Sequence, residues 1–324
     1  FGFREFWIEG SSFYLNGIPV KLRGDSWHFQ GAVQQTKEYA ENWYRICRMS
    51  GINSVRLHAE PHPTYYLDAA DEMGMLIVDE TAIHGSGKAM DASNPVFLDN
   101  CRRHVRQLVR RDRNHPSVVI WSLENEMRWV DGRDEYKRHI PELMGLMHEE
   151  DHSGRPISLD GDNRLISRED TEIASLHYNI DGTIGQWDRK VPLTIGEHGG
   201  HWYLCPQNAS MYEGIGVYLD SEFCCRAVAL KEKMFLEYAR RMDVSGISSF
   251  NFAHYFAVSM PRKDIKLPEP KREGRQGVYP RVIRKYSMTI GNGVLESYGY
   301  PFYQPNSAYP LMEEAMRPVT AIVR

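Results

Sequence analysis

Val118-Val119-Ile120-Trp121-Ser122-Leu123-Glu124-Asn125-Glu126 decides the fold. An apolar run leads to a tip that carries carboxylates and an amide. A strand apolar along its whole length has both faces covered, as strands do in a parallel sheet under helices. Seven more short runs have this character. They are Val20-Lys21-Leu22-Arg23, Asn53 to His58, Met75 to Glu80, Pro156 to Asp160, Ile173 to Tyr178, Leu193 to Glu197 and Gly246 to Asn251. Between them lie stretches of helical period. Lys37 to Met49 sets Tyr39, Trp43, Ile46 and Cys47 on one face, and Pro95 to Arg113 sets Val96, Phe97, Cys101, Val105, Leu108 and Val109 on one stripe. Thr64 to Met73 follows Pro63, read as a first-turn proline, and Tyr136 to Glu150 and Ala227 to Met242 are similar. Strands that alternate with helices form parallel βαβ units, and eight such units close a (β/α)8 TIM barrel. An open doubly wound sheet would need a glycine-rich phosphate loop. Gly85-Ser86-Gly87-Lys88 lacks the first glycine and the Lys-Ser/Thr ending.

The rest of the composition narrows the class. The chain has 324 residues, 42% hydrophobic and 25% charged, enough for one large barrel of about 250 residues or more. A net charge of −4 gives no basic excess for a nucleic-acid partner. No apolar run approaches the roughly 18 residues of a membrane helix. Cys47, Cys101, Cys205, Cys224 and Cys225 follow neither disulfide nor metal-ligand spacing, so reduced thiols are expected. His58, His62, His84 and His198 show no His-x-x-x-His or His-Glu-x-x-His spacing, and no metal or cofactor is expected. The sequence opens on Phe1 and does not fix a compartment, with a secreted or periplasmic setting placed ahead of a cytoplasmic one.

A TIM barrel builds its active site at the C-terminal ends of its strands. The tips carry Arg56 and His58, Asp79 and Glu80, Asn125 and Glu126, Asp160 and Asp162, His177 and Tyr178, Glu197 and His198, and Asn251. So many costly polar groups at one rim point to an enzyme. Asp79 and Glu80 read as a structural carboxylate pair. Glu126 and Glu197, on the fourth and seventh runs, would face each other across the mouth. Glycoside hydrolysis needs such a pair: one acid protonates the leaving oxygen, and one carboxylate attacks or activates water. Arg56 is placed to keep Glu197 ionised, and Tyr178 to donate a hydrogen bond to it. By strand alternation Glu124 faces the same side as Glu126 but deeper, so spacing alone leaves both as candidate acids.

These motifs resemble a known family. Phe1 to Arg4 with Phe13 to Gly24, Asn53 to His58 with Pro61, Asp71 to Glu80, and above all Arg111 to Glu126 resemble the catalytic barrel of glycoside hydrolase family 2. The resemblance is clear over residues 1–130 and weaker to about 255. It implies a retaining exo-β-glycosidase of the β-galactosidase, β-glucuronidase and β-mannosidase group. It implies Glu126 as acid/base rather than Glu124, Asn125 as the amide that holds the sugar 2-hydroxyl, and Glu197 as nucleophile. Arg56, His58, Asn125, Tyr178, Trp202 and Asn251 are the candidate substrate-binding residues. Three departures stand out. Glu124 replaces a usual Gly, Phe250-Asn251-Phe252 stands where a Trp is common, and Gly199 to Leu219 is long. No Asn-x-Lys carboxylate-binding signature is found.

The resemblance also suggests domain limits. Residues 1–19, with the Asn16-Gly17 hairpin turn, are expected to be the tail of a preceding β-sandwich. Residues 20–316 would be the barrel, and 317–324 the first strand of a following β-domain. The reading is a β-galactoside-like hydrolase of an oligo- or polysaccharide. An endo-acting agarase- or mannanase-like enzyme with a groove lined by Trp202 and Tyr203 is the alternative, and a non-catalytic carbohydrate-binding barrel the second.

Overall fold

The computed structural model describes residues 2–28, 36–85, 91–127, 132–178, 183–199, 206–219, 221–250, 252 and 308–318. Eight parallel strands form the barrel: β4 (Leu22–His28), β5 (Ser54–His58), β6 (Leu76–Glu80), β7 (Val118–Asn125), β8 (Ile157–Asp160), β9 (Ala174–His177), β10 (Leu193–His198) and β11 (Gly246–Ser249). Their order is β8-β7-β6-β5-β4-β11-β10-β9, and a parallel bridge between Ser158 and Ile173 joins the two ends.

Helices cover the outside for local reasons. In α1 (Lys37–Met49) the Thr36 side chain caps the Tyr39 N–H, and Tyr39, Trp43, Tyr44 and Cys47 face the barrel. α2 (Thr64–Met73) ends on Gly74 at φ 69°, a left-handed stop. Pro63 is the residue before that helix rather than in its first turn. α3 (Pro95–Asp112) starts with Asn94 as cap and a proline in its first turn, and buries Leu98, Cys101, Val105, Leu108 and Val109. α4 (Arg133–Glu150), α5 (Pro206–Glu213), α6 (Ser221–Arg241) and α7 (Tyr309–Met316) are the other helices among the described residues.

Strict strand–helix alternation does not hold. The link from β8 to β9 has no helix, and among the described residues the link from β9 to β10 has only a 3-10 turn, Thr183–Gln186. Polar ties do the work instead. Arg164 pairs with Asp162 and Asp170, and Asp188 accepts from the Ser167 N–H and hydroxyl.

The N-terminal residues form an antiparallel sheet of β1 (Phe6–Glu9), β2 (Ser12–Leu15) and β3 (Ile18–Val20). Val20 pairs with Phe13 in this sheet, so the first barrel strand begins at Leu22 and not at Val20. Phe6 and Phe13 stack at 5.4 Å and bury against Leu22, Val119, Ile120 and Ile173. These residues lie near the strand starts, so the sheet floors the barrel. Arg4 bonds the Pro116 and Val118 carbonyls at 2.7 and 2.5 Å. With the floor sealed, the C-terminal mouth is left for chemistry. The strand expected beyond Arg317 lies outside the described residues from 319 on.

Candidate active site

Arg56 is the hub. It projects from β5 into the barrel and is 1% exposed. Its Nε and Nη2 donate to Glu80 Oε2 and Oε1 at 2.8 and 2.9 Å, a bidentate fork. Nη1 reaches Glu197 Oε1 at 2.9 Å and Ser26 Oγ at 3.2 Å, and Nη2 reaches Asn125 Oδ1 at 2.5 Å. Asp160 Oδ2 lies 3.5 Å from Nε. Burial opposes the charge, but Glu80, Asp160 and Glu197 outweigh it and hold the guanidinium above its usual range.

Glu80 is saturated. It also accepts from Ser122 Oγ at 2.5 Å and from the Ala59 N–H at 2.7 Å, and burial lifts it to about 7. Asp79, its neighbour on β6, points the other way, toward Asp112 and Arg111. The two are therefore not a pair, because adjacent strand residues face opposite sides.

Three donors converge on Glu197. Arg56 and His58 Nε2 both lie 2.9 Å from Oε1, and the Tyr178 hydroxyl donates to Oε2 at 2.9 Å. Burial pushes this carboxyl up, yet His177, His58 and Arg56 together hold it well below its usual range. His58 itself is lowered to about 4 by burial, so it meets Glu197 as a neutral donor. Phe250 packs edge-on against the His58 ring at 5.2 Å.

Glu126 sits just past β7 at φ 54°, with its N–H on the Asp160 carbonyl at 2.9 Å. Tyr178 sits just past β9 at φ 60°, with its N–H on the Glu197 carbonyl at 2.9 Å. Left-handed backbone at residues that are not glycine costs on the order of 1 kcal/mol each. It turns both side chains over the mouth. Gly85 allows a close approach here, since a Cβ would lie 2.6 Å from the Glu126 carbonyl oxygen.

Glu124 does not share this side. The register between β7 and β8 slips between Ser122 and Asn125, and the Ser122 hydroxyl bonds the Glu124 carbonyl at 3.2 Å. Ser122 bonds Glu80 and Asn125 bonds Arg56, so both face the barrel interior although they are three residues apart. The bulge thus turns Glu124 outward, toward Tyr136 on α4 and Cys101 on α3.

Arg56, His58, Asn125, Glu126, Tyr178 and Glu197 meet at one mouth, whereas Trp202 and Asn251 lie outside the described residues. Glu80, expected as a structural partner of Asp79, belongs to the same network, as do Asp160 and His177, for which the sequence suggested no role. Their only signal was their place at strand tips. Donor atoms of Glu126, His177 and Glu197 lie within 4.8 Å of one another, the one such group of three among the described residues. Ion pairing among these three accounts for that closeness.

Comparison with known proteins follows from this geometry. A family model described as "Glycosyl hydrolases family 2, TIM barrel domain" matches residues 4–308. A putative β-glucuronidase of Formosa agariphila is 34% identical over 163 residues, which cover 47% of this chain and 19% of the relative. A β-galactosidase of Priestia megaterium is 31% identical over 139 residues, 39% of this chain and 13% of the relative. Among solved structures, a Ruminococcus gnavus β-glucuronidase in complex with C6-substituted uronic isofagomine aligns with TM-score 0.66 at 18% identity. That alignment covers 98% of this chain and 53% of the other. A Bifidobacterium dentium β-glucuronidase complexed with coumarin-3-O-glucuronide gives 0.62 at 20% identity, over 97% and 49%. The chain spans about half the length of these structures, and the likeness at this identity concerns the fold.

Proposed function

The chain belongs to glycosyl hydrolase family 2, and on that premise we propose that it is a retaining exo-β-glycosidase for terminal β-linked, galactose-configured sugars. One observation carries the reading. Glu197 is an ionised carboxylate gripped by three donors, and one of its oxygens lies within 4.8 Å of an oxygen of Glu126. Retaining enzymes hold their carboxyls about 5–5.5 Å apart, while inverting ones leave about 6.5–9.5 Å for a water.

Glu197 attacks the anomeric carbon while Glu126 gives a proton to the leaving oxygen. The glycosyl ester on Glu197 is then attacked by a water that gives its proton to Glu126. Arg56, His58 and Tyr178 aim the nucleophile and keep it ionised. Arg56 occupies Asn125 Oδ1, which fixes the amide so that its N–H donors are the end left for the sugar. The relatives named above are a putative β-glucuronidase and a β-galactosidase, so the assay pairs glucuronide with galactoside.

The test uses aryl β-galactoside, glucoside, mannoside and glucuronide. Glu197→Gly should abolish turnover of the preferred one, and azide should restore it with an α-glycosyl azide as product. Wild-type enzyme should release the β-anomer first by proton NMR. Release of the α-anomer first, or full activity of Glu197→Gly without azide, would refute the assignment.

A further inference from the structure

His177 is a fully buried imidazole wedged between the two carboxylates. Its Nδ1 lies 3.0 Å from Glu126 Oε1 and 3.7 Å from Glu197 Oε1, and its Nε2 lies 3.5 Å from Asp160 Oδ1. Two glycines make room for it. A Cβ on Gly161, at φ 73°, would come within 2.7 Å of Nδ1 and of Glu126 Cγ. A Cβ on Gly196 would come within 2.9 Å of Nε2 and would meet Asp160 Oδ1. The His177 N–H is fixed by Asn163 Oδ1 at 3.0 Å, which sets the ring's root. The ring is thus built into the site from three strand ends.

We propose that His177 stores the proton that Glu126 transfers, so that imidazole and carboxyl act as one acid/base pair whose proton follows the charge on Glu197. The inference rests on the roles of Glu126 and Glu197 given above. Acting through Glu126, His177 is a positioning residue. The charged groups facing its ring are Glu126 from the end of β7, Asp160 from β8, Glu197 from β10 and Arg56 from β5. Burial and Arg56 work against a charged ring. Glu197, Asp160 and Glu126 outweigh them and hold it up at about 9, so the free enzyme carries an imidazolium beside ionised Glu197.

The proton cycle balances. As Glu197 forms its bond to the anomeric carbon, its charge disappears, and with it the largest influence that holds the His177 proton. The proton on Nδ1 passes to Glu126 and from there to the departing oxygen. The glycosyl-enzyme is left with neutral His177 and ionised Glu126. In the second step Glu126 takes a proton from the attacking water. As Glu197 departs and regains its charge, that proton returns to Nδ1. Asp160 keeps Nε2 protonated throughout, because its own pKa is held below the usual carboxylate range against burial by Arg56 and His177. A single proton thus serves both steps, and the nucleophile's own charge directs it.

The test compares His177→Gln with wild type on two aryl glycosides of the preferred sugar. With a poor leaving group, which needs the acid, kcat/KM should fall more than about tenfold. The alkaline limb of its pH profile should also move acidward by about one pH unit or more. With 2,4-dinitrophenyl as leaving group, which needs no acid, the loss should be about tenfold smaller than on the poor substrate. An equal loss on both substrates with an unmoved limb would make His177 a structural residue and overturn the proposal. Glu126→Gln runs alongside. If it hydrolyses the poor substrate at the wild-type rate, the acid/base assignment itself falls. If it fails on that substrate while His177→Gln keeps the wild-type limb, only the His177 inference falls. Should the variant not fold, wild-type protein with nitrogen-15 histidine suffices. One imidazole should titrate near 9 in the free enzyme. It should titrate lower once Glu197 is trapped by the 2-deoxy-2-fluoro glycosyl fluoride of the preferred sugar. If no imidazole responds to trapping, the proposal is refuted.

Discussion

Glu124→Gln should make this protein more tolerant of alkali. The Glu124 side chain is buried behind β7 at 1% exposure, and its Oε2 has no hydrogen-bond partner among the described residues. Burial raises its carboxyl to about 8, with Asp162 and Glu80 adding to the rise and Tyr136 and Arg164 opposing it. The unfolded chain would release that proton near 4.3. Between these two values the folded state binds a proton that the unfolded state has lost. Stability from this group is therefore present below about 4.3 and is lost as pH rises toward 8. At about 1.36 kcal/mol for each pH unit, the loss comes to about 5 kcal/mol, comparable to the whole stability of many domains. Glutamine has the same shape and nothing to ionise. Urea unfolding of both proteins at pH 5 and pH 8.5 gives the measurement. Titrating groups that do not interact with Glu124 are common to both proteins and cancel in the comparison. The variant should match or trail wild type at pH 5 and exceed it by several kcal/mol at pH 8.5. If the difference is the same at both pH values, Glu124 is not a buried neutral acid and the reasoning fails.

Two further outcomes follow from the same structure. Arg56→Lys replaces a five-donor fork with a point charge that cannot hold Glu80, Glu197 and Asn125 together, so kcat/KM should fall about a hundredfold or more. Activity within threefold of wild type would remove Arg56 as the hub. Phe13→Ala empties the floor of the barrel and should cost about 3–5 kcal/mol in denaturant unfolding. Its kcat/KM should be unchanged at temperatures where the variant is folded, because the floor and the mouth lie at opposite ends. A loss of activity in the folded variant would contradict that separation.

The sequence was most legible where one chemical rule governs a run of residues. Val118 to Asn125, Ser54 to His58 and Leu193 to His198 announce buried strands because apolar residues fill both faces, and their polar ends mark the mouth. Helix limits were legible at Pro95 and Gly74 because backbone sterics fix them locally. Two things broke the local rules. A bulge is invisible to a period-two pattern, so Glu124 was assigned to the wrong side of β7. The link from β8 to β9 folds around Arg164 rather than as a helix, and an ion pair has no period at all.

The larger gap concerns balance of charge. Glu80, Glu126, Asp160 and Glu197 bring four carboxylates into one buried mouth. Each was readable as a strand tip, but neither their convergence nor its cost was. Three of them, Glu80, Asp160 and Glu197, are buried, and a site of this kind cannot leave their charges unopposed. Arg56 opposes Glu80, Asp160 and Glu197. Among the described histidines at the mouth, His58 and His84 are both pushed toward the neutral form, first of all by burial. Only His177 is held in its charged form, and it is the group placed against Glu126. His177 is a cation placed at that point. A titrating imidazole brings a charge that can leave when the nucleophile's charge leaves, which a second arginine could not do.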